Sequence, residues 1–218
     1  MQIIPSILVT SEEDFKNQIA SIANTVDMVQ IDLADGEFIP NTTWPYQDPE
    51  HAQKYLNEID FELHLMVKNP LMVIKRWNKH PRFKRALVHY ESTDDIKPVL
   101  EEIKALGKRV GLVLNPDTSI YDAEPYFDTV DLVMLMGVTP GFQGQKFIEK
   151  TIERIGKIKE INKNIFVEVD GGVSKDTIKK ISEAGADAVC PGSAIFGNKQ
   201  TPAENIKEMQ KIIKQLHI

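Results

Sequence analysis

The residues best suited to chemistry in this sequence are two aspartates that each close an apolar segment. Asp32 ends VDMVQID and Asp170 ends IFVEVD. Two carboxylates on opposite faces of a small substrate can invert a carbon next to a carbonyl, because one removes a proton and the other supplies one. The enediolate formed on the way needs electrostatic help, most simply from a divalent metal ion on its adjacent oxygens.

Other polar side chains in these apolar segments could complete a metal site. Gln30 lies two positions before Asp32, and strand alternation places both on one side. His64, in FELHLMV, and the two aspartates are suitable ligand types for a metal ion. A simpler interpretation remains open at this point, in which Asp32 and Asp170 only cap strand ends and accept hydrogen bonds from loop N–H groups.

Three glycine-rich stretches follow successive apolar segments in the last third of the chain. They read TPGFQGQKF, DGGVSKDT and PGSAIFG. In barrels of alternating strands and helices, the last loops commonly hold a phosphate group on backbone N–H groups and a helix N-terminus. One glycine turn is more often only conformational. Three neighbouring loops favour a phosphate site.

The segments that position these residues alternate regularly. Short runs of Val, Ile and Leu are followed by helical stretches eight times, beginning with IIPSIL and EEDFKNQIASI. Continuous apolar strands indicate burial on both faces, and therefore a parallel sheet under helices. We predict an α/β fold, a (β/α)8 TIM barrel that forms a single domain over residues 1–218. An open doubly wound sheet is the alternative, but the first strand lacks a Gly-x-Gly-x-x-Gly turn.

Composition narrows the partners and the location. The net charge of −6 argues against a nucleic-acid partner. All apolar runs are far shorter than the roughly 20 residues of a membrane span. The start MQIIPSILVTSEED has no basic residue before its apolar stretch, so we expect a cytoplasmic protein without a signal peptide. The single cysteine, Cys190, is expected to be a buried structural residue.

The order of the motifs resembles the ribulose-phosphate 3-epimerase family from the first strand to the eighth. The similar segments are PSIL, IDLADGEFIPN, ELHLMV, LVHYE, GLVLNP, LMGVTPGFQGQKF, VEVDGGV and PGSAIF. The resemblance implies an isomerase of carbohydrate metabolism, in the pentose phosphate pathway. Such an enzyme interconverts D-ribulose 5-phosphate and D-xylulose 5-phosphate through a metal-stabilised enediolate. The resemblance also implies a homo-oligomer.

The same resemblance assigns roles to individual residues. Asp32 would accept the proton and Asp170 would donate it, with the roles exchanged in the reverse direction. Both would bind the metal ion together with His64. Ser6 would contact the sugar, Met66 and Met136 would border the enediolate, and His64 would also lie against the substrate. The residues that would hold the ketose phosphate, chiefly by its phosphate group, are Gly141, Phe142, Gln143, Gly144, Gly171, Gly172, Gly192 and Ser193.

Three residues depart from the family pattern. Gln30 stands where the family usually has a histidine that is the fourth metal ligand. An amide oxygen is a weaker donor than imidazole to zinc or iron and suits manganese or magnesium better, so we expect a weakened metal site. Ala34 replaces a methionine and is expected to remove bulk above the reacting carbons. Gln143 replaces a glycine at the phosphate end.

Two other functions remain open. One is a 3-epimerase of another ketose phosphate, such as allulose 6-phosphate, because Ala34 and Gln143 alter the pocket walls. The other is a catalytically weak sugar-phosphate-binding protein, although two carboxylates in one pocket repel each other. A decarboxylase or hexulose-phosphate synthase is set aside, because those proteins carry a lysine where this chain has Ala34. His89 and Glu91 could hold a sugar hydroxyl, but we expect them to support the site.

Overall fold

The strands of the chain form one parallel sheet that curls round on itself. A computed structural model describes residues 1–142 and 144–216. The strands in these residues are β1 (Gln2–Ile3), β2 (Ser6–Ile7), β3 (Met28–Ala34), β4 (Asp60–Met66), β5 (Phe83–His89), β6 (Arg109–Leu114), β7 (Leu132–Met136), β8 (Phe166–Asp170) and β9 (Ala188–Cys190). Their order in the sheet is β1-β9-β8-β7-β6-β5-β4-β3-β2.

The two short N-terminal strands lie at the two ends of this order and so close the sheet. β1 pairs with β9 and β2 pairs with β3. Pro5 separates the two, and it has no N–H to donate, but its carbonyl accepts from the Gln30 N–H at 3.0 Å. The predicted (β/α)8 barrel is confirmed. The first of the eight predicted strands is divided at Pro5 into two short strands, which is why the structure has nine.

Helices connect the strands on the outside of the barrel. They are α1 (Glu12–Ile22), α2 (Trp44–Gln47), α3 (Pro49–Ala52), α4 (Pro70–Trp77), α5 (Lys97–Ala105), α6 (Ile120–Ala123), α7 (Lys150–Ile161), α8 (Ile178–Glu183), α9 (Ser193–Phe196) and α10 (Pro202–Gln215). In α1, the Ser11 hydroxyl accepts from the Asp14 N–H at 3.1 Å and caps the helix. Phe15, Ile19 and Ile22 recur at helical spacing and are buried against the sheet. Within the described ranges, we find no helix with the length and hydropathy needed to span a membrane.

Strand alternation separates an outer core from the barrel interior. Ile31 and Leu33 of β3 pack in the large apolar cluster between the sheet and the helices. Inside the barrel, β5, β6 and β7 contribute an apolar cluster of Leu87, Val113, Leu132, Met134 and Met136. The strands β3, β4 and β8 carry the polar residues that the sequence predicts as a site.

A charged layer lies inside the barrel, two residues before the site residues along β4 and β8. Glu62 and Glu168 are both 0% exposed, and Arg85 is 2% exposed. The Arg85 guanidinium contacts Glu62 and lies 3.4 Å from Glu168 Oε2. Burial, assisted by the charge of Glu168, raises the pKa of Glu62 well above its ordinary value, which favours its neutral form. Cys190 is a buried thiol whose Sγ donates to Glu168 Oε1 at 3.1 Å, as expected for a structural cysteine.

Candidate active site

Three of the predicted site residues meet at the C-terminal end of the barrel. Asp32 and His64 are directly paired positions on β3 and β4, and Asp170 is the last residue of β8. His64 Nδ1 lies 2.9 Å from Asp32 Oδ1 and 3.1 Å from Asp170 Oδ2. One ligand atom from each residue lies within 4.8 Å of the other two, so this cluster could hold a metal ion. Its donor types, two carboxylates and an imidazole, suit a divalent cation.

The electrostatics of this cluster favour a positive charge. Burial raises the pKa of Asp32, and the charge of Asp170 adds to the rise, although the hydrogen bond from His64 opposes it. Burial lowers the pKa of His64, but its hydrogen bonds with Asp170 and Asp32 outweigh that effect and raise the pKa to about 9. His64 is therefore a cation at neutral pH, held between two acids.

Gln30 lies next to both acids, deeper in the barrel. Its Nε2 donates to Asp32 Oδ1 at 3.1 Å and to Asp170 Oδ2 at 2.9 Å. Its Oε1 is buried, and no hydrogen-bond partner is found for it among the described residues. Rotation of the terminal amide by half a turn exchanges the positions of Oε1 and Nε2. Oε1 could then contact a cation held by the two carboxylates. The side chain is thus placed to be either a hydrogen-bond donor or a ligand.

A pocket opens above the acids and is lined by most of the predicted substrate residues. The predicted residues among its walls are Ser6, Asp32, His64, Met66, Met136, Gly141, Phe142, Gly144, Asp170, Gly171, Gly172, Gly192 and Ser193. Gln30 lies behind this surface. Gln143 lies outside the described residues. Six wall residues are not predicted from the sequence, and these are Leu8, Val138, Pro140, Gln145, Val173 and Cys190.

The loops at one end of the pocket pack closely against each other. Gly171 and Gly172 have φ values of +93° and +68°, a region that disfavours side chains. A Cβ on Gly172 would lie 2.7 Å from the backbone Cα of Phe147, in the preceding loop. Across the pocket, Asn41 Nδ2 donates to the Gly141 carbonyl at 3.0 Å. Glycine at these positions therefore brings two loop backbones together at the pocket wall.

Ala34, His89 and Glu91 lie next to the site but do not line the pocket. Ala34 is buried in an apolar cluster with Ile39 and Met66. His89 and Glu91 lie behind His64 and are not among the pocket walls, with His89 Nε2 2.9 Å from His64 Nε2. Burial lowers the pKa of His89 to about 4, so this ring is neutral.

The sequence matches the model of the ribulose-phosphate 3 epimerase family over residues 2–196. The chain is 39% identical over 213 residues to a ribulose-phosphate 3-epimerase of Aquifex aeolicus, and the match covers 93% of each chain. It is 35% identical over 208 residues to a ribulose-phosphate 3-epimerase of Bacillus subtilis, covering 90% of this chain and 93% of the relative.

Solved structures share the fold at much lower identity. One is KGPDC from Streptococcus mutans in complex with D-R5P, with a TM-score of 0.73 and 16% identity. The match covers 98% of this chain and 97% of that chain. Identity at this level shows the barrel fold alone.

Proposed function

Because the chain belongs to the ribulose-phosphate 3-epimerase family, and is therefore a carbohydrate-phosphate epimerase of the isomerase class, we propose that it interconverts D-ribulose 5-phosphate and D-xylulose 5-phosphate. The observation that carries the proposal is the meeting of two carboxylates at one imidazole under the pocket. Asp32 comes from β3 and Asp170 from β8, and both line the pocket wall. This is the arrangement that proton exchange on two faces of one carbon requires.

Each carboxylate has a defined task in this mechanism. Starting from D-ribulose 5-phosphate, Asp32 removes the C3 proton, and the electron pair moves into the enediolate. Asp170 then supplies a proton to the opposite face of C3 and leaves D-xylulose 5-phosphate. The raised pKa of Asp32 makes its carboxylate a stronger base for the first step. The apolar side chains of Met66 and Met136 border this pocket and help to exclude water from the reacting carbons.

The residues fit a divalent metal ion as the cofactor. Asp32, His64 and Asp170 would hold it, and the raised pKa of His64 reflects the same preference for positive charge at this point. The unpartnered Oε1 of Gln30 fits a fourth ligand after reversal of the amide. When bound, such an ion stabilises the negative charge that develops on the enediolate oxygens. We propose manganese or magnesium, because an amide oxygen suits these ions better than zinc.

Replacing Gln30 tests its contribution to metal affinity. The Gln30→His variant is expected to bind zinc about 10- to 100-fold more tightly than the natural chain, because imidazole is the stronger ligand. The Gln30→Met variant, which keeps the side-chain length without an amide, is expected to bind manganese more weakly. Competition with a coloured chelator measures both affinities. Equal manganese affinity of the natural chain and Gln30→Met would show that Gln30 is not a ligand.

The glycine loops are proposed to hold the phosphate group of the substrate. Gly141, Gly144, Gly171, Gly172 and Gly192 all line the pocket, and the absence of side chains leaves their backbone N–H groups accessible to an anion. Ser193, the first residue of α9, adds a hydroxyl at the same place. Close packing of the loops at Gly172 makes their geometry sensitive to a single methyl group.

The Gly172→Ala variant is expected to raise KM for D-ribulose 5-phosphate about tenfold with a smaller change in kcat. The added methyl must displace the Phe147 backbone, and strain of about 1–3 kcal/mol then falls on the phosphate loops. Gly107→Ala is the matched control, because Gly107 also has positive φ, +72°, but has nothing within 4 Å of its Cβ position. Steady-state kinetics and thermal unfolding of both variants separate loop displacement from general strain. A KM change of the same size in Gly107→Ala would contradict the assignment.

A substrate comparison tests the proposed reaction. Chelator-treated protein is assayed for epimerisation of D-ribulose 5-phosphate and of D-allulose 6-phosphate, without metal and with manganese, magnesium, zinc or iron(II). We expect metal-dependent turnover with a higher kcat/KM for D-ribulose 5-phosphate. A higher kcat/KM for D-allulose 6-phosphate would make that compound the substrate in place of D-ribulose 5-phosphate. Binding of both compounds without turnover would leave a sugar-phosphate-binding protein.

The number of subunits and the cellular location complete the proposed function. We propose a homo-oligomer, which the family resemblance implies, and a cytoplasmic location. Light scattering on the purified protein measures the number of subunits directly.

A further inference from the structure

A line of hydrogen bonds begins on the side of His64 that points away from the two aspartates. His64 Nε2 lies 2.9 Å from His89 Nε2, and His89 Nδ1 lies 3.4 Å from Glu91 Oε2. Glu91 Oε1 accepts from the Asn115 N–H at 2.9 Å and from the Thr118 hydroxyl. Both imidazoles are buried, His64 at 1% and His89 at 0% exposure. The line therefore connects the site to the loop after β6.

Arg154 holds that loop in place from α7. Its guanidinium donates to the carbonyls of Asn115 at 2.9 Å, Pro116 at 3.2 Å and Thr118 at 2.8 Å. The side chain is 4% exposed and is not part of the pocket wall. Arg154 therefore fixes the loop whose Asn115 and Thr118 donate to Glu91 Oε1. This holds Glu91 in position, with its second oxygen facing His89.

The direction of the hydrogen bonds follows from the chemistry of the groups. A carboxylate only accepts, so Glu91 requires the hydrogen of His89 to be on Nδ1. A neutral imidazole with its hydrogen on Nδ1 has a free electron pair on Nε2. Because the two Nε2 atoms are 2.9 Å apart, His64 must supply the hydrogen between them. When the His64 ring gives up one proton, it therefore gives it up from Nδ1, the nitrogen that faces Asp32 and Asp170.

We propose that His89 and Glu91 are positioning residues that keep a hydrogen on Nε2 of His64, so that its free electron pair forms on Nδ1, where a metal ion held by the two aspartates would bind. They act through His64 and do not contact the substrate. The inference rests on the proposed function in one respect, the use of His64 as a ligand. Hydrogen bonding of a ligand imidazole through its other nitrogen typically changes metal affinity about 10- to 100-fold, and we expect an effect of that size here.

The Glu91→Gln variant tests the direction of the hydrogen bonds that run from His64 through His89 to Glu91. In this variant the amide oxygen keeps the hydrogen bonds from Asn115 and Thr118, so the NH2 group faces His89 Nδ1. The hydrogen of His89 then moves to Nε2, and His64 must lose its own Nε2 hydrogen and become the acceptor. We expect manganese affinity to fall about 10- to 100-fold. Long-range ¹H–¹⁵N spectra of the metal-free proteins are expected to show His89 protonated on Nδ1 in the natural chain and on Nε2 in the variant. Glu50→Gln, at a surface glutamate with a 67% exposed side chain, is the matched control and should bind manganese within twofold of the natural chain.

A pair of substitutions at His89 separates positioning from packing. His89→Gln retains a carbonyl oxygen that can accept from His64 Nε2, whereas His89→Leu does not. Under the proposal, His89→Gln keeps manganese affinity within a few-fold and His89→Leu loses about 10- to 100-fold. A structural role alone would weaken both alike.

The proposal is overturned if His89 of the natural chain carries its hydrogen on Nε2. It is also overturned if Glu91→Gln leaves both the tautomer and the manganese affinity unchanged, or if the two His89 variants bind manganese equally. None of these measurements uses a sugar phosphate. An enzyme that proves inactive on D-ribulose 5-phosphate would therefore refute the proposed function without deciding this inference.

Discussion

The Asp170→Asn variant is expected to lose epimerisation while it retains hydrogen exchange from one substrate. Asn keeps the volume of Asp170 but cannot supply the proton, so formation of D-xylulose 5-phosphate from D-ribulose 5-phosphate should slow about 10²- to 10⁴-fold. Asp32 is intact and still removes the C3 proton of D-ribulose 5-phosphate. In D2O, that substrate should therefore gain deuterium at C3 without inversion. Proton NMR follows both events in one sample.

Asp32→Asn is the reciprocal control. Its exchange should be retained from D-xylulose 5-phosphate, because Asp170 is the base in that direction, and lost from D-ribulose 5-phosphate. Both variants are compared at saturating manganese, since each also removes a carboxylate proposed as a metal ligand. Epimerisation by Asp170→Asn within tenfold of the natural rate would contradict the assignment of separate faces to the two acids.

The Arg85→Met variant is expected to be destabilised by about 3–5 kcal/mol. Arg85 is the cation beside two glutamates inside the barrel, and all three residues are at most 2% exposed. Removing one partner of a buried ion pair leaves an uncompensated charge in a medium that solvates it poorly. Urea unfolding at neutral pH measures the loss of free energy. The control is Arg109→Met, at the neighbouring position on β6. The Arg109 side chain is 55% exposed, so its replacement should lower the free energy of unfolding by less than about 1 kcal/mol.

The destabilisation of Arg85→Met should depend on pH in a defined direction. Burial already raises the pKa of Glu62, and removal of Arg85 takes away a charge that lowers it. A carboxyl whose pKa is higher in the folded protein than in the unfolded chain stabilises the fold at low pH, and this stabilisation is lost as pH rises through the folded pKa. The difference from the natural chain should therefore be smaller at pH 5 than at pH 8. The double variant Arg85→Met with Glu168→Gln should recover much of the loss, and equal loss at both pH values would argue against a buried charge as the cause.

The alternation of side chains along each strand is sufficient to predict much of the site. Residues two apart on a strand share a side, so the order of residues in VDMVQID alone predicts that Gln30 lies beside Asp32. In the folded chain, a hydrogen bond of 3.1 Å joins these two side chains. Helical spacing likewise predicts EEDFKNQIASI, which coincides with α1, Glu12–Ile22. Such local rules succeed here because each strand of a barrel has one interior face.

The charged layer escapes prediction because the apolar run of the fifth strand starts only at Ala86. β5 begins at Phe83, and Arg85 therefore belongs to the same interior face as Leu87 and His89. The alternation of Arg85, Leu87 and His89 is the signal that could have revealed it. Glu62, two residues before His64, could have been found in the same way.

Other features depend on contacts that no local rule contains. The type of residue at Ala34 does not show that Ile39 of the following loop packs in one apolar cluster with it. The sequence also does not show that Arg154, on a helix, holds the loop that supports Glu91. These contacts depend on how loops and helices fold back onto the strands, so only the assembled barrel defines them.

Proton NMR of the natural protein with D-ribulose 5-phosphate in D2O tests the central claim most directly. With manganese present, two acids on opposite faces of C3 should produce D-xylulose 5-phosphate that carries solvent deuterium at C3, and this should stop when the metal is chelated. D-Xylulose 5-phosphate that quantitatively keeps the original C3 proton would contradict the two-acid mechanism. Absence of both exchange and product under every metal condition would contradict the assignment of the substrate.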